Sequence, residues 1–259
     1  MLGKLLKYEL MATARIFLPL FAALIVLSFI NRLFSSLGLS APSVIGIILS
    51  VIIIIGICVL TFVLTLQRFR NNLLSNEGYL MMTLPVKTDS LILSKLFAAT
   101  IWNIASFIVV VVSIMIMALV GVSIPEIIEF IREGIDTTLS APQFTVFVIE
   151  LLAAIILSIF FGVLTLYACM ALSMLVNKRR GLFTFGAFVV ISTAVQTVFA
   201  AFAYIGAAVG VTDLFNVSAL SAFGISQLAV FTIIIAEAAL CSAMYYTTRY
   251  MLKSRLNLQ

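Results

Sequence analysis

Residues 44–66 read VIGIILSVIIIIGICVLTFVLTL, twenty-three residues in a row without a charge. About 20 apolar residues suffice for a helix to cross the ~30 Å hydrocarbon core of a bilayer. Inside lipid every backbone polar group must find its partner within the protein, so only helices and closed barrels cross. A run this long and continuous predicts a transmembrane helix. The rest of the chain repeats the pattern, with apolar runs predicted as helical spans at about 16–37, 44–66, 96–120, 144–175, 182–209 and 222–246. The fourth run exceeds what the membrane needs and is expected to tilt or to project from it.

Composition agrees. Of 259 residues, 64% are hydrophobic and 10% charged, against about a quarter charged in a soluble domain. The expected fold is an all-α membrane protein of six transmembrane helices forming one domain over 1–259. No histidine is present, which removes His-based zinc sites, Ser-His-Asp triads and His proton relays. Cys58, Cys169 and Cys241 are far apart within apolar runs and read as small buried hydrophobes, with no disulfide framework or metal cluster. The net charge of +5 is read as cytoplasmic loop charge rather than a nucleic-acid surface.

The spans divide the basic residues unequally. Lys4, Lys7, Arg15, Arg68, Arg70, Lys87, Lys95, Lys178, Arg179, Arg180, Arg249, Lys253 and Arg255 fall on one side, Arg32 and Arg132 on the other. That is 13 against 2 of the 15 Lys and Arg residues, which predicts that the first side is cytoplasmic and that both termini lie there. The basic start is followed by an apolar run too long for a signal peptide, so it is kept as mature sequence. Leu2, Leu6 and Leu10 repeat at four-residue spacing with Leu5 beside them and Lys4 and Lys7 between, and predict an interfacial helix over 1–15; a plain extension of the first span is the alternative. Segment 121–143 then lies outside. Ile124, Ile127, Ile128, Ile131 and Ile135 follow helical spacing, with Glu126, Glu129, Glu133 and Asp136 among them. Ser123 with Glu126 makes a capping-box pattern and Pro125 fits a first turn. The expectation is a short amphipathic helix resting on lipid or neighbouring spans, with a lid or a partner face as alternatives.

Between the second and third spans, residues 76–96 read NEGYLMMTLPVKTDSLILSKL. Ser75 or Asn76 can cap a helix, Pro85 discourages helix at Leu84, and Thr88 or Asp89 can cap the next one. A helix of about two turns is predicted, too short to stand alone in water. Its apolar side chains need a surface, and methionines suit a partner groove that changes shape. Six spans, an interfacial N-terminal helix and the pieces Glu77, Thr83-Leu84-Pro85-Val86 and Lys95 resemble an ABC-2-type transporter permease. The motif proper covers about twenty residues; the rest of the likeness is in span count and layout.

In that family the loop carries a coupling helix that docks into a groove of a cytoplasmic ATPase. The resemblance implies that Glu77, Gly78, Tyr79, Leu80, Met81, Met82, Thr83, Leu84, Pro85 and Val86 form that contact, with Lys178, Arg179 and Arg180 on the same side as a second one. It implies two permease subunits, alike or related, with two separate ATPase subunits holding ATP and Mg. The chain itself has no GxxxxGK[ST] phosphate loop, and no cofactor is expected in it. A transport subunit rather than an enzyme is expected, in a bacterial cell membrane and with no nucleic-acid partner. The short link 210–221 departs from polysaccharide exporters of the family, which carry pronounced amphipathic gate helices there.

Four polar residues within the spans stand out. Glu237 lies about 22 Å along the last span from Ala222. It can pair with a polar group on a neighbouring span, touch substrate or titrate, or be reached by water near the inner surface. Glu150 is expected near the outer interface, and Asn103 and Gln196 as hydrogen-bonding glue between helices. An ATP-driven exporter is the leading expectation. An ion-coupled carrier would need more midplane carboxylates and usually repeats. A membrane enzyme would need a reactive constellation that the loops do not offer. A membrane anchor or regulator of an ATPase without transport stays open.

Overall fold

The structure is a computed structural model and describes residues 2–71, 88–119, 124–176, 180–208 and 222–254. Seven helices and no strand occur among them: α1 (Leu2–Ser36), α2 (Ser40–Phe69), α3 (Thr88–Ala118), α4 (Ile124–Ser140), α5 (Pro142–Ser173), α6 (Arg180–Ala208) and α7 (Ala222–Ser254). All but α4 are long and apolar enough to cross a membrane, so the chain is an all-α, six-span membrane protein. The chain divides into two compact units, α1–α4 and α5–α7, with the boundary at Pro142.

The helices overrun the expected spans. Residues 2–15 are helical, as their leucine spacing predicts, but α1 continues through them without a break. Its 35 residues measure about 52 Å at 1.5 Å per residue, well beyond the ~30 Å core. The excess length expected of the fourth span alone is shared by all six, the shortest having 29 residues. α7 runs to Ser254, eight residues past its expected end.

In the first unit α1 closes with a left-handed Gly38 at φ 71°. The Leu39 amide donates to the Phe34 carbonyl at 3.0 Å and the Gly38 amide to the Ser35 carbonyl at 3.1 Å. This pair of bonds satisfies the last carbonyls and reverses the chain, and glycine takes the conformation without a β-carbon penalty. α2 then starts two residues later.

α1, α2 and α3 pack on one another through stripes at helical spacing. α1 offers Thr13, Phe17, Phe21, Leu24, Ser28 and Asn31; α2 offers Gly46, Ser50, Ile57, Thr61, Thr65 and Phe69. Two kinds of contact alternate along the unit. Phe17 stacks on Trp102 of α3 with ring centres 4.7 Å apart and planes 14° from parallel, and Phe21 leans on both. The other contacts are small and polar, one nearer Gly38 and one a turn on from Trp102. Ser28 Oγ donates to the Leu24 carbonyl at 2.8 Å and meets Ser113 Oγ at 2.5 Å. Thr61 Oγ1 donates to the Ile57 carbonyl at 2.7 Å and meets Ser106 Oγ at 3.2 Å. A hydroxyl has one proton. Ser28 and Thr61 have spent theirs on their own helices, so Ser113 and Ser106 are the donors across to α1 and α2. Small residues let backbones approach where lipid gives no hydrophobic drive to associate.

In the second unit burial gathers at one end of α5 and of α7. On α5, Val163–Thr165, Tyr167–Ala171 and Ser173 are buried, while most of residues 144–162 are exposed. On α7 the buried positions are Cys241, Thr248 and Leu252. Of the three cysteines, Cys169 and Cys241 are buried as expected and Cys58 is exposed. α2 is apolar all round, α1 and α3 cover one stripe of it, and Cys58 is off that stripe.

Candidate functional site

Glu9 lies in the third turn of α1, Arg68 at the end of α2 and Lys95 in the third turn of α3. Their side chains converge. Arg68 Nη1 donates to Glu9 Oε2 at 2.7 Å, and Lys95 Nζ donates to Glu9 Oε1 at 2.6 Å. The Lys95 side chain is 2% exposed and that of Glu9 12%, so this pair is largely out of water, with Arg68 partly exposed beside it. The formal charges of the three sum to +1. Among the described residues the buried Arg68 Nε has no hydrogen-bond partner.

The chain folds this way locally because α3 is largely buried over its first turns, Phe97 being exposed. Leu91, Ile92, Ser94, Leu96, Ala98 and Thr100 are buried around Lys95. A lysine placed there needs a paired carboxylate, since an uncompensated buried charge costs several kcal/mol. Glu9 supplies it and takes Arg68 on its second oxygen. Both carboxylate oxygens are occupied, which makes Glu9 a joint between three helices rather than a free base. Arg68 and Lys95 also bracket residues 72–87 in sequence, so the two chain ends leading into that segment are fastened to α1.

Lys95 was expected at the mouth of the third span as part of the loop motif, and it is a buried member of this triad. Glu9 carries no part in the sequence reading. A signal for it exists: it is the single acidic residue before Glu77, in a start otherwise basic. The contact proposed for residues 77–86, and the basic residues Lys178 and Arg179, lie outside the described residues. Arg180 opens α6.

The second unit holds the other polar contact between spans. Ser158 Oγ on α5 donates to Glu237 Oε1 on α7 at 2.6 Å. Glu237 Oε2 is shielded and has no partner among the described residues. Cys241, one turn on from Glu237, shares its face and is buried. Glu150 stands two turns before Ser158 on α5, about 12 Å along the axis. It is half-buried, and its Oε2 is likewise shielded without a partner among the described residues. The structure does not bring Glu150 to the Ser158 bond.

Among the described residues neither Asn103 nor Gln196 makes the cross-helix bond expected of it. Asn103 Nδ2 donates to the Ala99 carbonyl at 2.8 Å and so is satisfied within α3. Four residues back along a helix is the nearest acceptor, and a short amide reaches it without a neighbour. Gln196 sits on the exposed surface of α6. Of the aromatics, Trp102 is a core stack and Tyr167 is fully buried, while Tyr204 and Tyr246 are exposed. No group of three or more Cys, Asp or Glu able to hold a metal ion occurs among the described residues. No family model matches the chain, and no curated protein and no solved structure matches it.

Proposed function

We propose that this chain is the membrane subunit of an ATP-driven transporter of the ABC-2 permease type, working as an exporter with a separate ATPase. Both termini and the segment between α2 and α3 face the cytoplasm in this reading, following the 13-to-2 split of basic residues. The membrane is a bacterial cell membrane. A second permease subunit, identical or related, completes the pathway. ATP and Mg belong to the ATPase.

The observation that carries the reading is the Glu9 triad. A segment that passes a push from an ATPase to the spans must have its ends fixed to them. Arg68 and Lys95, on either side of residues 72–87, share one carboxylate on α1, so a load entering there moves α1, α2 and α3 together. The resemblance of Glu77, the run Thr83–Val86 and Lys95 to the family's loop supplies the nature of the partner.

Intact-complex mass spectrometry after purification in mild detergent tests the assembly. An ATP-binding chain and a second permease should appear with this one. The contact is tested by Leu80→Asp and Met82→Asp, which should release the ATPase or uncouple its hydrolysis from transport while the spans stay inserted. A complex holding no ATP-binding chain overturns the reading. A Met81→Cys or Met82→Cys variant that labels with a lipid-phase reagent and never crosslinks to the ATPase overturns the coupling contact.

A further inference from the structure

α4 is the one described helix that is neither a span nor part of the packing between spans. It does not pack along α1, α2 or α3, yet Ile128, Ile131, Ile135 and Leu139 on it are all exposed. At 3.6 residues per turn these four fall within an arc of about 80°. Glu126, Glu129, Glu133 and Asp136 fall within another arc of about 80°, centred about 140° away. Arg132 lies between the arcs, 4.0 Å from Asp136.

We infer that α4 lies flat on the surface of the bilayer with its apolar arc seated in neutral phospholipid, as a lipid-anchored link between the two units. Position argues for lipid. α3 ends at Ala118, five residues before α4, and α5 begins at Pro142, one residue after it. Five residues reach at most about 17 Å, so both ends of the helix are held close to where a span leaves the membrane. Exposed apolar side chains also mark the start of α5, with Phe144, Val146 and Ile149, as a span facing lipid requires.

Charge selects the lipid. Interfacial helices that use electrostatic attraction carry Lys and Arg on the polar face. α4 carries four acids and one arginine, so an anionic surface would repel it and the apolar arc alone provides the hold. α4 is the last helix of the first unit and the covalent route into the second.

Spin labels on the full chain test this. Cys58, Cys169 and Cys241 are replaced by alanine, and single labels go in through Ile128→Cys, Ile131→Cys, Ile135→Cys, Glu129→Cys and Glu133→Cys. Unchanged Trp102 emission and elution volume show that each variant is folded. In phosphatidylcholine proteoliposomes, the three isoleucine sites should relax with oxygen, which partitions into lipid, and be several-fold less open to a water-soluble nickel chelate than the two glutamate sites. Replacing part of the lipid with phosphatidylglycerol should leave the seating unchanged or shallower. Isoleucine sites open to nickel mean that the helix stands off in water and overturn the proposal. Isoleucine sites closed to both reagents mean a protein surface, such as a second copy of this chain, and overturn it too. Deeper seating in phosphatidylglycerol overturns the charge argument.

Discussion

Glu9 and Lys95 stand 86 positions apart in the chain and 2.6 Å apart in space. Their pairing joins the start of α1 to the start of α3, and Arg68 adds the end of α2. Replacing Glu9 by leucine leaves Lys95 as an uncompensated charge at a position 2% exposed. A loss of about 3–5 kcal/mol is expected. Replacing both, as Glu9→Leu with Lys95→Met, should recover most of it, because an apolar pair of similar volume needs no desolvation. Arg68→Met should cost less, its side chain being 27% exposed. Survival of folded protein after heating in detergent ranks the three variants; equal losses for the single and double Glu9 variants would contradict the pairing.

Gly46 of α2 faces the Asn31 side chain of α1. A β-carbon there would lie 2.5 Å from Asn31 Oδ1 and 3.0 Å from Asn31 Cγ. Asn31 Oδ1 is buried with no conventional hydrogen-bond partner among the described residues, and contact with the Gly46 Cα–H is a weak substitute for one. Gly46→Ala should destabilise by about 1–3 kcal/mol, the range for overpacking a closed site. Adding Asn31→Ser shortens the obstructing side chain and should return part of the loss. Denaturation midpoints in detergent check both, with Gly56→Ala, where nothing lies within 4 Å, as the neutral control.

Trp102 is the sole tryptophan and stacks on Phe17. Truncating it to alanine should cost about 3–5 kcal/mol, of which the ring pair accounts for about 0.5–1.5 kcal/mol beyond buried area. Trp102→Phe keeps a ring against Phe17 and should cost far less. In the native chain its emission should be blue-shifted and should move to the red as the first unit unfolds. A Glu9→Leu variant that melts earlier by elution should show the same earlier shift, since both residues belong to one packed unit.

The Ser158–Glu237 bond ties α5 to α7 in the second unit. Bonds between helices in membranes average about 0.6 kcal/mol and reach about 1.7 kcal/mol. A double-mutant cycle of Ser158→Ala and Glu237→Gln should give a coupling in that range. Glu237→Leu should cost more than Glu237→Gln, because glutamine keeps an acceptor for the Ser158 hydroxyl. A coupling of zero would show that Glu237 finds its partner elsewhere in the assembled protein.

The spans were legible one residue run at a time. A segment such as 44–66, apolar on all faces, has one stable form in lipid whatever its neighbours, because the backbone must satisfy itself. The α4 start followed in the same way from Pro125, and the acid–isoleucine spacing there depends only on the local helix. The chain therefore determined six membrane helices and one amphipathic helix. It did not determine partners. Two helices that are apolar all round present many equivalent faces, and nothing local says which stripes of α2 meet α1 and α3; those choices rest on Gly46 facing Asn31 of α1 and Thr61 facing Ser106 of α3. Asn103 shows the converse, a polar residue that looked ready to bridge helices and is satisfied at home. Lys95 and Glu9 lie 86 positions apart in the chain, and nothing in the sequence pairs them. Only the packing of α1 on α3 removed both from water, and that desolvation turns two charges into a joint. Pairings across long separations are decided by tertiary structure because each helix is stable without them and the energy distinguishing one docking from another resides in the contacts themselves.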